Sequence, residues 1–181
     1  MVLPDFSPNW RNPKEWHSTW TNLAYLAIGI AALWTNSAQG ILVAVGSILL
    51  TLGSASFHSK LTRYARAADE CAMYICFAAV VGLGFGMPAT GFAVGIGLAA
   101  IWDKLNSFVV VPLLVVCALI PVWAKEPGAA ILLACLYIFF VLVRQWAEGR
   151  SPRIKDPVHG WAWHNGTSLT TCLVVAAYAL L

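Results

Sequence analysis

Residues 107–146 read SFVVVPLLVVCALIPVWAKEPGAAILLACLYIFFVLVRQW. Two apolar runs, 107–124 and 127–146, are separated only by Lys125 and Glu126. Each is close to the ~20 residues that a helix needs to cross a hydrocarbon core about 30 Å thick. Backbone groups in lipid must be satisfied within their own segment, so the pair reads as two membrane helices joined by a turn.

Outward from this pair, further runs fall at 18–36, 39–59, 67–86, 88–103 and 159–180. The sequence therefore predicts an all-α integral membrane protein, a seven-transmembrane helix bundle forming one domain over 1–181. The run at 88–103, PATGFAVGIGLAAIW and onward, is short and glycine-rich, so a re-entrant or broken helix and six spans form the alternative. Pro88, Pro112 and Pro121 fall in or beside runs and predict kinks or helix ends.

Composition points the same way. Of 181 residues, 60% are hydrophobic and 10% charged, with a mean hydropathy of +0.74, outside the usage of water-soluble domains. Trp16, Trp34, Trp102, Trp123, Trp146 and Trp161 sit near run ends, where an amphipathic ring suits the headgroup region. Cys71, Cys76, Cys117, Cys135 and Cys172 lie inside apolar runs without CxxC spacing, and are expected to be small core residues. The opening MVLPDFSPNWRNPKE lacks the order of a signal peptide, so no leader is expected to be removed. The net charge of +3 comes from scattered loop residues, which excludes nucleic acid as a partner.

With seven spans, Arg11, Lys14, Lys60, Arg63, Arg66, Lys104, Arg144, Arg150, Arg153 and Lys155 share one side of the bilayer and Lys125 alone lies opposite. The positive-inside rule then predicts a cytoplasmic N-terminus and a C-terminus outside.

Ionisable residues inside spanning helices are costly and mark functional sites. Here they are Glu15 and His17 opening the first run, His58 ending the second, Asp69 and Glu70 opening the third, and His159 and His164 opening the last. Runs one, three and seven start on the side where run two ends, so these groups converge on one chamber at the basic face. In GSASFHSKL (53–61), Ser54 precedes His58 by four residues and shares its helix face. Asp69 follows after a basic loop short enough to turn the chain back.

Three imidazoles with an open fourth position make a catalytic zinc site, which acidifies its water to a pKa of about 7 and polarises a carbonyl. A carboxylate such as Asp69 can orient that water or take its proton, and a hydroxyl such as Ser54 can bind the developing oxyanion. Taken singly, each histidine reads as a polar tip at the interface; the grouping with Asp69 and Ser54 reads as a site. Glu70 points elsewhere on its helix and is expected to pair with Arg66. Tyr74, one turn further on, is expected to anchor at the interface, with oxyanion donation as its second role.

These residues resemble the alkaline ceramidases, within the superfamily of seven-helix membrane hydrolases that includes the adiponectin-type receptors. The resemblance lies in EWHSTWTNL at 15–23, in Ser54-x3-His58 followed by Asp69-Glu70-x2-Met73, and in the paired histidines of the last run. Between 75 and 157 only the hydropathy is similar. The resemblance implies that His58, His159 and His164 bind Zn2+, that Asp69 positions the water on the metal and that Ser54 assists at the scissile carbonyl. The implied reaction is hydrolysis of a membrane lipid amide, ceramide to sphingoid base and fatty acid, with an ester as the second substrate class.

Three features depart from that family. Its last helix usually reads H-x3-H, whereas His159 and His164 are five apart, about 140° off on an ideal helix. A π-bulge, or a His159 lying before the helix, would bring them together; otherwise His17 is the replacement ligand. Its acidic calcium-binding segment is represented only by Glu15 and Asp5, too few oxygen ligands for a calcium site. The predicted N-terminal orientation is that of the adiponectin-type receptors and opposite to that of the animal ceramidases. The alternative function is a receptor-like or transport protein of the same seven-helix shape with a structural metal or none. Against transport, the two halves show no matching broken helices.

Overall fold

A computed structural model of the chain describes residues 14–148 and 150–180. Expectations on residues 1–13, including Asp5 and Arg11, lie outside the described residues. Among those described, all regular structure is helical. In order these are α1 (Trp16–Thr21), a 3-10 turn (Asn22–Tyr25), α2 (Leu26–Lys60), α3 (Arg63–Gly84), α4 (Pro88–Ala100) and a second 3-10 turn (Trp102–Lys104). Then follow α5 (Ser107–Lys125), α6 (Pro127–Glu148), α7 (Pro152–His159), a π-helical turn (Gly160–Asn165) and α8 (Gly166–Leu180). Among the described residues, four stretches are long and apolar enough to cross a membrane: Ala38–Lys60, Arg63–Gly84, Ser107–Lys125 and Pro127–Glu148.

The helical stretch Leu26–Lys60 is not one straight rod. At 1.5 Å per residue, Gly29 and Ala44 would stand about 22 Å apart. Instead, a Cβ placed on Gly29 would lie 2.9 Å from the Ala44 Cα, and one on Gly40 would meet the Ala32 backbone. The chain doubles back between Ala32 and Gly40, so the runs 18–36 and 39–59 form an antiparallel pair.

The next reversal is tight. Leu61 closes α2 in the left-handed region, φ 55°, with its N–H on the Phe57 carbonyl at 2.6 Å, a C-cap conformation more often taken by glycine. Thr62 then caps α3 by accepting from the Ala65 N–H at 3.2 Å. Two residues thus suffice to return the chain, and α3 starts at Arg63, four residues before the expected 67.

Helix α3 is the centre of the core: Met73, Tyr74, Cys76, Phe77, Val80 and Leu83 are buried against Tyr25, Ile28, Val43 and Leu50 and against Val111, Val122 and Val175. Tyr74 is fully buried, which overturns its expected place at the interface: it faces neighbouring helices instead. Cys135 is exposed on α6 and only Cys76 is buried, so the expectation of five core cysteines holds for one of them. Helix α4 is 13 residues long, about 20 Å at 1.5 Å per residue; it fits the short-helix alternative and falls short of a straight crossing. Pro88 opens it, while Pro112 and Pro121 lie inside α5.

Helices α5 and α6 leave most of their apolar surface uncovered, including Leu113, Val116 and Ile120 on one and Leu132, Phe139 and Leu142 on the other. A water-soluble monomer rarely presents so large an apolar face; hydrocarbon suits it as solvent.

Candidate metal centre

The α2–α3 turn determines where the first groups meet. Gly53 lets the two helices touch backbone to backbone: a Cβ there would lie 2.8 Å from the Ala68 carbonyl oxygen and 3.3 Å from the Asp69 Cα. The Ser54 hydroxyl consequently faces the Asp69 carboxylate. Both residues are buried, and the Asp69 Oδ1 has no hydrogen-bond partner. One helical turn beyond Ser54, His58 turns its ring to the same side.

His159 ends α7 and His164 lies in the π-helical turn. In an α-helix residues five apart diverge, but a π turn is hydrogen-bonded from i to i+5 and carries one extra residue, so five positions come back to one face. Their rings stack edge-on, with centroids 5.0 Å apart. His58 completes the group at 5.0 Å from His159 and 4.9 Å from His164. One ring nitrogen from each of the three lies within 4.8 Å of the others. His17 is exposed and stands outside this trio, so the replacement considered above is not needed.

Two of the rings are held by the opening block 15–23. Glu15 Oε2 lies 2.5 Å from Nδ1 of His58, and Thr21 Oγ1 lies 2.8 Å from Nδ1 of His164. With the Thr21 hydroxyl donating to the His17 carbonyl at 2.8 Å, its oxygen is left to accept from Nδ1–H of His164, and Glu15 as a carboxylate accepts from Nδ1–H of His58. That arrangement leaves Nε2 of both rings as a lone pair. Nε2 of His164 is buried with no hydrogen-bond partner among the described residues. Nδ1 of the third ring, His159, lies 3.9 Å from Glu148 Oε1.

Block 15–23 is itself fixed by Asp156 of α7, whose carboxylate accepts from the His17 and Ser18 N–H groups at 2.8 Å each. This satisfies two of the orphan donors of α1 and locks the seventh apolar segment to the first. Gly160 permits the approach, since a Cβ there would lie 2.5 Å from Thr21 Oγ1.

His58, His159 and Asp69 line a cavity of about 750 Å³, whose apolar wall includes Phe57, Met73, Val111, Pro112 and Val141, while His164 and Ser54 are buried and do not line it. Arg144 and Lys155 line it as well. Glu70 is held by Arg66 Nε at 2.9 Å and by the Ser107 hydroxyl at 3.2 Å, the pairing expected of it. Tyr74 is buried and, like Ser54, is not among the residues that line the cavity.

The donor set fits zinc. Two imidazoles are oriented through Nδ1, as metal-binding histidines are by their outer partners. One offers a buried nitrogen that no described residue satisfies, and Asp69, whose Oδ1 has no partner among the described residues, stands beside them. Three ligands also leave a fourth position open, as catalytic zinc requires. Glu15 is engaged with His58, and no described carboxylate joins it in a calcium-like cage.

Sequence reasoning missed the roles of Thr21 and Asp156, and it read Arg144 as a loop charge. Asp156 carried a faint signal as a carboxylate three residues before a histidine; Thr21 lay within the resemblance block EWHSTWTNL at 15–23, but no role was read for it. Comparisons of the chain with protein-family models, with curated proteins and with solved structures give no match.

Proposed function

We propose that this chain is a zinc-dependent intramembrane hydrolase that cleaves a lipid amide of the ceramide type, releasing a sphingoid base and a fatty acid. In this reading the four long helices are joined in the bilayer by the segments 16–34, 88–104 and 160–180, giving seven crossings with the N-terminus in the cytoplasm. The observation that carries the proposal is the cluster of three imidazoles, two of which line one partly apolar cavity together with Asp69, with Ser54 buried beside that carboxylate.

His58, His159 and His164 would hold the metal, which supplies Lewis-acid polarisation of the carbonyl and an acidified water. Asp69 orients the attacking water through its free Oδ1, takes its proton and returns it to the departing amine. The Ser54 hydroxyl donates to the carbonyl oxygen as charge develops there. Water adds across the C–N bond, so the acyl carbon gains oxygen and the nitrogen leaves with the proton. Phe57, Met73 and Val111 line the space for the acyl chain, and burial of the site limits stray water. A structural zinc would be closed by a fourth protein ligand, and no fourth His, Cys, Asp or Glu among the described residues joins the trio.

The test is fatty-acid release from a panel of ceramides and matching esters, using purified protein in detergent. Asp69→Asn should lower turnover by about 10²–10⁴-fold and Ser54→Ala by about 10²-fold, both with metal retained. Wild-type protein that cleaves neither amide nor ester, or variants that cleave as well as wild type, would overturn the reading.

A further inference from the structure

Helix α6 carries a cation for which the reaction above has no use. The Arg144 side chain is only 15% exposed and lines the same cavity as His159 and Asp69. Its guanidinium carbon lies 4.4 Å from the ring centre of Trp163 and 5.1 Å from that of Phe108, which fixes its place by cation–π contact. Its Nε is buried without a hydrogen-bond partner among the described residues. Glu148 forms a long ion pair with it, Oε1 standing 3.6 Å from Nε and beyond hydrogen-bond distance, while Oε2 of the same carboxylate is bound by Lys155 at 2.9 Å.

A guanidinium keeps its charge at any working pH and presents a planar fork of donors. Buried charge is normally paired, and a buried donor left unpaired in a native fold calls for a reason. The ligand class whose geometry matches such a fork is an oxyanion with two oxygens to offer, a carboxylate or a phosphate. Arg144 stands near the C-terminal end of α6, close to the polar loop that leads into α7, at the end of the cavity that carries the histidines. The apolar wall takes the acyl chain, so the oxyanion belongs to the amine half of the lipid.

We propose that Arg144 is a specificity-determining residue that selects lipid amides bearing a carboxylate or phosphate on the amine side. This rests on the hydrolase reading for the word substrate, but its test reads binding and needs no turnover. The full-length protein carrying Asp69→Asn, to keep the lipids intact, is titrated with N-oleoylglycine, N-oleoyl phosphoethanolamine and neutral N-oleoylethanolamine. At least one anionic lipid should bind about tenfold or more tighter than the neutral one, and the tighter of the two identifies carboxylate or phosphate.

Adding Arg144→Gln should bring the anionic and neutral affinities within about twofold of each other, and Arg144→Lys, which keeps charge but loses the fork, should give up at least half of the preference. If Arg144→Gln does not fold, Arg144→Lys decides alone. Equal binding of all three lipids before any change at Arg144, or a preference undiminished in the folded variants, overturns the proposal. Preference that depends on Arg144 in a protein without zinc or hydrolysis would keep this inference and remove the hydrolase reading; zinc and hydrolysis without preference would do the reverse.

Discussion

Glu15 Oε2 lies 2.5 Å from Nδ1 of His58, a contact that spans forty-three positions of sequence. It occupies one ring nitrogen of His58, and Thr21 does the same for His164. In the proposed site, block 15–23 thus orients imidazoles rather than supplying them.

Removing that aim should loosen the metal without abolishing its site. Glu15→Gln is expected to weaken zinc affinity by about 10–100-fold, read by competition with a chelator in detergent. Unchanged affinity would show that Glu15 does not orient the ring.

The ligand set separates one histidine from the other three. His159→Ala and His164→Ala should each leave less than about a tenth of the wild-type zinc after dialysis, because two imidazoles make a poor tetrahedral site. His17→Ala should keep all of it. A loss of metal in His17→Ala with retention in His159→Ala would reverse the assignment.

The π turn behaves as one inserted residue. Deleting Ala162 should return the segment to α-helical register with the histidines at i and i+4, on one face. The shortened protein is expected to bind at least about half of the wild-type zinc, measured by elemental analysis. Complete loss with the helix content intact by circular dichroism would mean that the π geometry itself is required.

Gly53 tests the helix contact behind Ser54 and Asp69. A methyl at this position meets the Ala68 carbonyl, which is backbone and cannot swing away. Gly53→Ala should cost about 1–3 kcal/mol, seen as a lower thermal midpoint, and should slow hydrolysis as Ser54 and Asp69 separate. A variant as stable and as active as wild type would show that the helices part there freely.

Much of the fold is legible because long apolar runs are a strong signal. The runs 107–124 and 127–146 match Ser107–Lys125 and Pro127–Glu148 to within two residues. The reading failed where long-range contacts overrode local pattern. RIKDPV, polar and holding Pro157, reads as loop, yet it forms most of α7, with Asp156 docked on α1 about 140 positions earlier. The π turn over GWAWHN was signalled only by the five-residue spacing of His159 and His164, as one of the two ways to bring them together; Trp161 packs on Phe140 and Trp163 on Arg144, and these contacts accompany the extra residue. The histidines stood out as ionisable groups in apolar runs, whereas Arg144, at the end of its run, was indistinguishable from a loop cation. Charge at a helix end says which side it lies on, not whether it turns into a cavity.

The most direct measurement is elemental analysis of detergent-purified wild type beside His58→Ala, with ceramide hydrolysis assayed on the same samples. The account predicts about one zinc per wild-type chain, almost none in the variant, and hydrolysis lost in parallel. Wild-type protein that takes up no zinc, or His58→Ala that keeps both its zinc and its hydrolysis, would contradict it.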